Sequence, residues 1–264
     1  MCGLIETDLQ KNYEVFVKDH YSKEYFTGDP SRSAYIDYAN DKAMITKNLK
    51  KYLQQIITIK PKGKVLDVGC AMGFFVELAR NAGYDAYGFD PSEYAVEKAQ
   101  KLVGKTKIKH GTISSITYSK KVFDVMTLFD VFEHLADPAG DIAKLSTYLK
   151  DDGIMVIATG DTQSVAAKVL KRHWTFYIPP QHLFFFNRST LTSVLAMAGL
   201  FPVEWFRIGK WLSLRYILHL AKTAGESRLG WLLEKVALKY HFGTVSLYVP
   251  LRDNMVVIAQ KKKI

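Results

Sequence analysis

The chain has 264 residues, 48% of them hydrophobic and 13% aromatic, with 36 Lys and Arg against 26 Asp and Glu for a net charge of +10. That composition supports a sizeable buried core and excludes a disordered chain, while two cysteines, Cys2 and Cys70, exclude a disulfide framework and point to a reducing, cytoplasmic setting. No apolar run approaches the roughly 18 residues of a membrane span, and Glu6, Asp8 and Lys11 interrupt the N-terminus too early for a secretory leader.

Residues 1–60 read as helical elements rich in tyrosine, including Tyr21, Tyr25, Tyr35 and Tyr38, with a break at Gly28-Asp29-Pro30. They are expected to form a cap, and residues 61–264 an α/β domain beneath it. The domain opens with a strand, Lys64 to Val68, apolar apart from Lys64 and Asp67, as a buried parallel strand should be. Gly69-Cys70-Ala71-Met72-Gly73 then turns the chain. Its small residues let the backbone approach a ligand, and the following helix, Phe74 to Asn81, offers unpaired N–H groups to a carboxylate or phosphate. Cys70 reads as a small buried residue of this loop.

A second strand, Tyr84 to Phe89, ends at Asp90, about 20 residues after the glycine loop, where dinucleotide folds place an acid on ribose hydroxyls. An adenosine-type ligand is implied. Asp90-Pro91-Ser92-Glu93 is also a good helix start, with Asp90 as N-cap, proline first and glutamate at N3, so Asp90 is expected to do both. A nicotinamide fingerprint needs G-x-G-x-x-G, and the spacing here is Gly69-x-x-x-Gly73, without a pyrophosphate cradle.

Further strands are expected over Thr106 to His110, Val122 to Phe129 and Ile154 to Thr159, with a helix from Pro138 to Lys150. Residues 160–188 are too long and aromatic for a plain connection and read as a lid or substrate-binding segment. A helix over Ser189 to Ala198, a break at Pro202, a sixth strand over Val203 to Ile208 and a seventh over Asn254 to Gln260 complete the domain.

Residues 209–248 form an insertion before the last strand. Trp211, Leu214, Ile217, Leu218 and Ala221, then Leu229, Leu232, Leu233, Val236 and Tyr240, recur at helical spacing among basic residues such as Lys210 and Lys235. Two amphipathic helices are expected. Between Trp205 and Ile264 lie 11 basic and 3 acidic residues, so most of the net charge is C-terminal. Three uses compete for these helices: covering the substrate mouth or a dimer surface, peripheral contact with an anionic membrane, and nucleic acid. The apolar faces and the lack of an RNA-binding module disfavour the last.

Asp67-x-Gly69-x-x-x-Gly73 resembles the first motif of class I S-adenosylmethionine-dependent methyltransferases. Phe123 to His134 followed by Asp137-Pro138 looks like that superfamily's fourth strand and its continuation, and Leu149 to Ala158 like its helix end, turn and fifth strand. Trp174, Pro180, His182, Phe186, Leu191 and Gly199 match the spaced pattern of the branch containing quinone-biosynthesis O-methyltransferases. The resemblance covers Lys62 to Val203 and the last strand. It implies an α/β, Rossmann-like, seven-stranded, mostly parallel sheet with helices on both faces, and S-adenosyl-L-methionine as cofactor.

By the same resemblance Asp67 and the Gly69, Cys70 and Gly73 backbone hold the methionine end and Asp90 the ribose. Phe89, Thr112 and Ile113 face the adenine, and Phe129 and Asp130 lie beside the methionine moiety. The family often has an acid after the third strand; Gly111-Thr112-Ile113 stands there instead, so hydroxyl or backbone groups must read the adenine.

A hydroxyl acceptor must lose its proton, and histidine is the natural base. His182 in the lid and His134 beyond the fourth strand are the candidates, with Glu133 placed to orient His134 or touch substrate; transfer without a protein base stays open. No metal ligand set is read. Phe129-Asp130-Val131-Phe132 lacks the Asn/Asp-Pro-Pro-Tyr/Phe sequence common in amide and base-amine methyltransferases. Trp174, Phe176 and Tyr177 favour a planar or greasy substrate, and Lys168, Lys171 and Arg172 could receive an anionic group. The expectation is O-methylation of a small-molecule or lipid-linked hydroxyl, against an RNA or protein N-methyltransferase or an inactive cofactor-binding protein.

Overall fold

The computed structural model describes residues 3–9, 11–28, 38–214, 217, 245–250 and 252–261. A short strand β1 (Ile5–Glu6) precedes helices α1 (Tyr13–His20), α2 (Lys23–Thr27) and α3 (Lys42–Ile59). The Asn12 side chain caps α1 by accepting from the Glu14 and Val15 amides. Along α3, Met44, Tyr52, Leu53 and Ile56 are buried, a helical stripe that seats the helix on the domain.

The domain runs through β2 (Lys64–Val68), α4 (Phe74–Asn81), β3 (Asp85–Asp90), α5 (Glu93–Val103), β4 (Ile108–His110), β5 (Phe123–Phe129), α6 (Pro138–Tyr148) and β6 (Leu149–Gly160). It continues through α7 (Val165–Leu170), β7 (Phe184–Phe185), α8 (Arg188–Met197), β8 (Leu200–Phe206), β9 (Lys210–Ser213), β10 (Ser246–Val249) and β11 (Asn254–Lys261). Seven strands form one sheet in the order β4-β3-β2-β5-β6-β11-β8. The first five pair in parallel, and β11 is antiparallel to both neighbours. The seven-stranded, mostly parallel α/β sheet expected from the resemblance is therefore present.

Period-two alternation divides the buried strand residues between two cores. Leu66, Met126, Leu128 and Ile157 face one layer, and Val65, Val125, Val156 and Ile258 the other, where α3 and α4 lie. Full burial of each such side chain contributes roughly 1.5–3 kcal/mol. Connections leave β2 towards β3 on one side, while β5 lies on the other. The strand order thus reverses at the β2/β5 boundary, where open α/β sheets form a crevice beyond the strand ends.

Several local readings are corrected. Helix α5 begins at Glu93 with Ser92 as N-cap, its hydroxyl accepting from the Ala95 amide, so Asp90 is not the cap. The reason is that Asp90 still belongs to β3 and its carboxylate is used elsewhere. Thr106 lies in a single 3₁₀ turn, Lys105–Lys107, rather than in strand. Pro202 sits inside β8, where the register shifts between Ile258 and Ala259; β8 is an edge strand, which tolerates a missing amide donor.

Lys210 and Trp211 belong to strand β9, paired with β10, not to a helix. Tertiary pairing overrides the helical spacing there: the Asn48 side chain accepts from the Trp211 amide at 2.7 Å and donates to its carbonyl at 2.9 Å. The rest of the two expected amphipathic helices, from Leu218 through Tyr240, lies outside the described residues. Among the described residues no helix is long and apolar enough to cross a membrane.

Gly88 marks the tightest seat of the loop and helix on β3: a Cβ there would lie 2.7 Å from the Cys70 Cβ and 3.0 Å from Val76 Cγ2. Gly88→Val should overpack this contact and destabilise the fold by about 1–3 kcal/mol. Urea denaturation reads the difference; an unchanged midpoint would contradict the close packing.

Candidate functional site

The loop after β2 is shaped by three residues with positive φ, Gly69 at 67°, Ala71 at 44° and Gly73 at 78°. The Gly69 and Cys70 amides both donate to the Phe89 carbonyl, at 2.9 and 3.0 Å, so the loop is laced to the end of β3. Asp90 completes the lacing: one carboxylate oxygen accepts from the Ala71 amide at 2.8 Å and the other from the Ser92 amide at 2.9 Å. Burial pushes its carboxyl up to about 6 against the pull of those two donors.

Above this lacing lies a cavity of about 250 Å³. Of the expected cofactor residues, Gly69, Phe89, Asp90, Thr112, Ile113, Phe129 and Asp130 line it. Asp67, Cys70 and Gly73 do not; they stand behind the wall. Asp67 is buried under the loop, where Thr127 Oγ1 donates to it at 2.6 Å and burial pushes its carboxyl up to about 7. Cys70 is buried against Gly88, its thiol pushed up by burial. Gly73 takes the left-handed N-cap of α4, and a Cβ there would approach Ala99 Cβ to 3.0 Å. These three shape the loop rather than face the cavity.

On the far wall Phe129 stacks on Tyr52 at 4.6 Å and meets Phe75 edge-on at 4.9 Å. Asp130 follows it in the left-handed region at φ 54°, an uncommon place for a residue with a side chain. Its carboxylate accepts from Asn254 Nδ2 at 3.1 Å and faces Lys210 Nζ at 3.3 Å.

His134 also lines the cavity, directly after a buried Glu133. Its Nδ1 donates to the Gln181 carbonyl at 2.8 Å, which leaves Nε2 as the unprotonated nitrogen of the neutral ring. Burial holds its pKa down to about 4. His182, by contrast, is buried behind the wall, its Nδ1 donating to the Phe176 carbonyl at 2.7 Å and its ring 4.6 Å from that of His134. Burial holds His182 well below its ordinary value. Thr159 Oγ1 donates to Glu133 Oε2 at 2.8 Å, while Oε1 has no hydrogen-bond partner. Burial, reinforced by Asp130, pushes the Glu133 carboxyl above its ordinary value. Ligand atoms of Glu133, His134 and His182 lie within 4.8 Å of one another, close enough for one metal ion.

The cavity roof comes from the N-terminal helices, with Tyr13, Tyr21, Tyr25, Tyr38 and Tyr52 on its lining. Tyr52 and Asn48 escaped the reading of the sequence, although their spacing of four on α3 was a readable signal. Lys210 escaped because its neighbourhood reads as helix.

The residues present fit an adenosine cofactor with an amino-acid tail. Gly69 keeps the loop backbone bare where Val131 packs on it, since a Cβ there would strike Val131 Cγ2 at 2.6 Å, and an acid waits at the end of β3. A doubly wound sheet with such a crevice defines a nucleoside-cofactor-binding α/β domain. Residues 40–204 match the family model described as methyltransferase domain, and the chain belongs to that family.

The chain is 24% identical over 196 residues to the ubiquinone biosynthesis O-methyltransferase of Hydrogenovibrio crunogenus, covering 66% of this chain and 81% of that protein. It is 30% identical over 113 residues to the protein of that description from Coxiella burnetii, 41% of this chain and 48% of the relative. The match to the one from Dinoroseobacter shibae, 26% identical, spans 53% of this chain and 61% of the relative, so the chain spans about half to three fifths of these two relatives. Among solved structures it resembles the putative methyltransferase complexed with the Trm112 activator in Haloferax volcanii, with TM-score 0.61, 15% identity and coverage of 94% and 98%. It also resembles magnesium protoporphyrin IX methyltransferase from Synechocystis PCC 6803 with bound SAH, with TM-score 0.57, 14% identity and coverage of 94% and 100%. At these identities the two structures speak to the fold alone.

The neutral His134 ring has a consequence for stability. In the unfolded chain it protonates near its ordinary 6.5 and in the folded chain near 4, so as pH falls between these values the unfolded state holds more protons and the fold weakens. His134→Gln should remove this contribution, flattening the loss by up to about 1.4 kcal/mol per pH unit. Denaturation of both proteins at several pH values in this window tests it; parallel curves would rule out a depressed histidine.

Proposed function

We propose that this chain is an S-adenosylmethionine-dependent methyltransferase that methylates a hydroxyl of a small or lipid-linked acceptor. One observation carries the reading: a single cavity joins the Gly69 and Asp90 wall to the neutral imidazole of His134. When bound, S-adenosylmethionine supplies a methyl carbon on a sulfonium, which an acceptor oxygen displaces while the bonding pair leaves on sulfur.

The protein's share is to position and to move one proton. Asp90 accepts the ribose hydroxyls, and Phe89, Ile113 and Thr112 line the adenine end. Phe129, clamped between Tyr52 and Phe75, offers a ring face to positive charge. The tyrosine roof excludes water and holds an acceptor at attack distance, which can supply several kcal/mol of the barrier. His134 Nε2 takes the acceptor proton. A low pKa suffices, because the oxygen becomes strongly acidic as its bond to carbon forms. Glu133 and His182 back this ring rather than touch the acceptor.

Lipid linkage of the acceptor is supported by α7. Val165 and Val169, one turn apart, are 76% and 72% exposed beside Lys168, with Lys171 and Arg172 following, a pattern that complements an anionic membrane face.

Two measurements test the reading. Asp90→Asn should weaken S-adenosylhomocysteine binding at least about tenfold in calorimetry at pH 8, since hydrogen bonds to a charged group contribute about 1.5–3 kcal/mol. Wild-type affinity should itself fall below about pH 6, where Asp90 takes up a proton, while the variant stays flat; unaltered affinity would remove Asp90 from the ribose. His134→Ala should lower kcat about 10²- to 10⁴-fold with S-adenosylhomocysteine affinity retained, and His182→Ala should lower it less. The reverse ranking would move the base to His182.

A further inference from the structure

The roof of the cavity and the His134 ring come from distant parts of the chain, and a buried tripeptide, Gln181-His182-Leu183, lies between them. On one side it holds the loop after β5. The Gln181 carbonyl accepts from His134 Nδ1 at 2.8 Å, and the Leu183 amide donates to the Glu133 carbonyl at 2.8 Å. On the other side it holds the N-terminal segment. The His182 and Leu183 carbonyls accept from the Thr7 hydroxyl and amide, at 3.1 and 2.7 Å, and Gln181 Nε2 donates to Tyr25 Oη on α2 at 3.2 Å.

Gln181 thus bonds the imidazole with its main chain and the roof with its side chain. The roof also reaches His134 directly, since Tyr13 Oη donates to its carbonyl at 3.0 Å and Tyr21 meets its ring edge-on at 5.9 Å. Tyr13, Tyr21 and Tyr25 all line the cavity, so a ligand that fills it bears on these same side chains. They precede the family-matched span 40–204, within which Gln181 and His134 lie, so Gln181 joins the family domain to a segment outside it. A neutral imidazole can carry its proton on either nitrogen, and the bond to the Gln181 carbonyl is what selects Nδ1. That carbonyl stays in reach of the ring only while Gln181 is itself held.

We propose that Gln181 is a positioning residue that carries the seating of the roof to His134, so that the ring presents Nε2 to the cavity only while the roof is docked. The inference rests on His134 as the base of the reaction proposed above. Closure then assembles the base and excludes water in one step, so that the acceptor loses its proton only inside a closed site.

Nitrogen NMR of the full chain, well above the pH at which the ring protonates, reads the tautomer directly; the signals lost in His134→Gln identify the ring. Wild type should show His134 protonated on Nδ1. Gln181→Met keeps the carbonyl and removes the side-chain donor, and it should draw the Nδ1 and Nε2 shifts towards each other as the two tautomers mix. Tyr25→Phe, at the roof end of the same bond, should move them alike, and the double variant no further than either single one. Should Gln181→Met fail to fold, Tyr25→Phe carries the test. Unmoved His134 shifts in the folded variants would overturn the coupling, as would an effect that grows in the double variant. A wild-type ring protonated on Nε2 would instead bring down the reading of His134 as the base.

Discussion

The architecture of the site depends on one carboxylate. Asp90 accepts from the Ala71 amide with one oxygen and from the Ser92 amide with the other, tying the loop after β2 to the turn after β3. Without that clamp the positive-φ loop after β2 and the turn after β3 would meet at the mouth of the sheet with the Ala71 and Ser92 amides unsatisfied, a cost of about 1–3 kcal/mol for each buried group. With it the loop stands open above β2 and β3, and the acid is held at a fixed place. The clamp is costly in another way, since a buried carboxylate resists ionisation, and its raised pKa of about 6 records that tension. A group whose charge is maintained against burial, at the mouth of a crevice, has the character of a ligand-binding acid.

The second half of the cavity is held from elsewhere in the chain. The N-terminal strand β1 pairs with β7, the Thr7 amide donates to the Leu183 carbonyl, and its hydroxyl donates to that of His182. Tyr13 Oη donates to the His134 carbonyl, and the Leu183 amide to that of Glu133. Both histidine rings are thus fixed by main-chain carbonyls on Nδ1 and by backbone stitching around them. Such orientation restricts the imidazole to one tautomer, which a base needs before pKa matters. Trp174, buried with Nε1 donating to Asp253 at 3.0 Å, anchors the aromatic segment over the same region. Segment 160–188 is therefore packed onto the sheet, with Phe186 joined to the core and only α7 presenting apolar residues outward.

Sequence carried the sheet well because parallel, doubly buried strands announce themselves as apolar runs. Lys64–Val68 and Phe74–Asn81 were legible to the residue, and Phe123–Phe129 to within one. The cofactor wall was legible for a similar reason: glycines at fixed distance from an acid have few other uses. Roles inside that wall were not. Asp67 and Gly73 carry motif positions yet stand behind the surface, because a motif records which residues shape a loop without saying which of them face the cavity.

By itself the sequence determined the fold class, the place of the glycine loop and the acid at the end of β3, since these follow from local periodicity and spacing along the chain. Only the tertiary structure decided that His134 faces the cavity and His182 stands behind it, for both sit beside aromatic residues and nothing local separates them. Only the tertiary structure turned Lys210 inward, since its strand is selected by pairing with a segment more than thirty positions away and by Asn48 on α3, against its own helical spacing. Contacts distant in sequence override local propensity wherever they satisfy buried backbone groups, and the His134 end of this cavity is built almost entirely from such contacts.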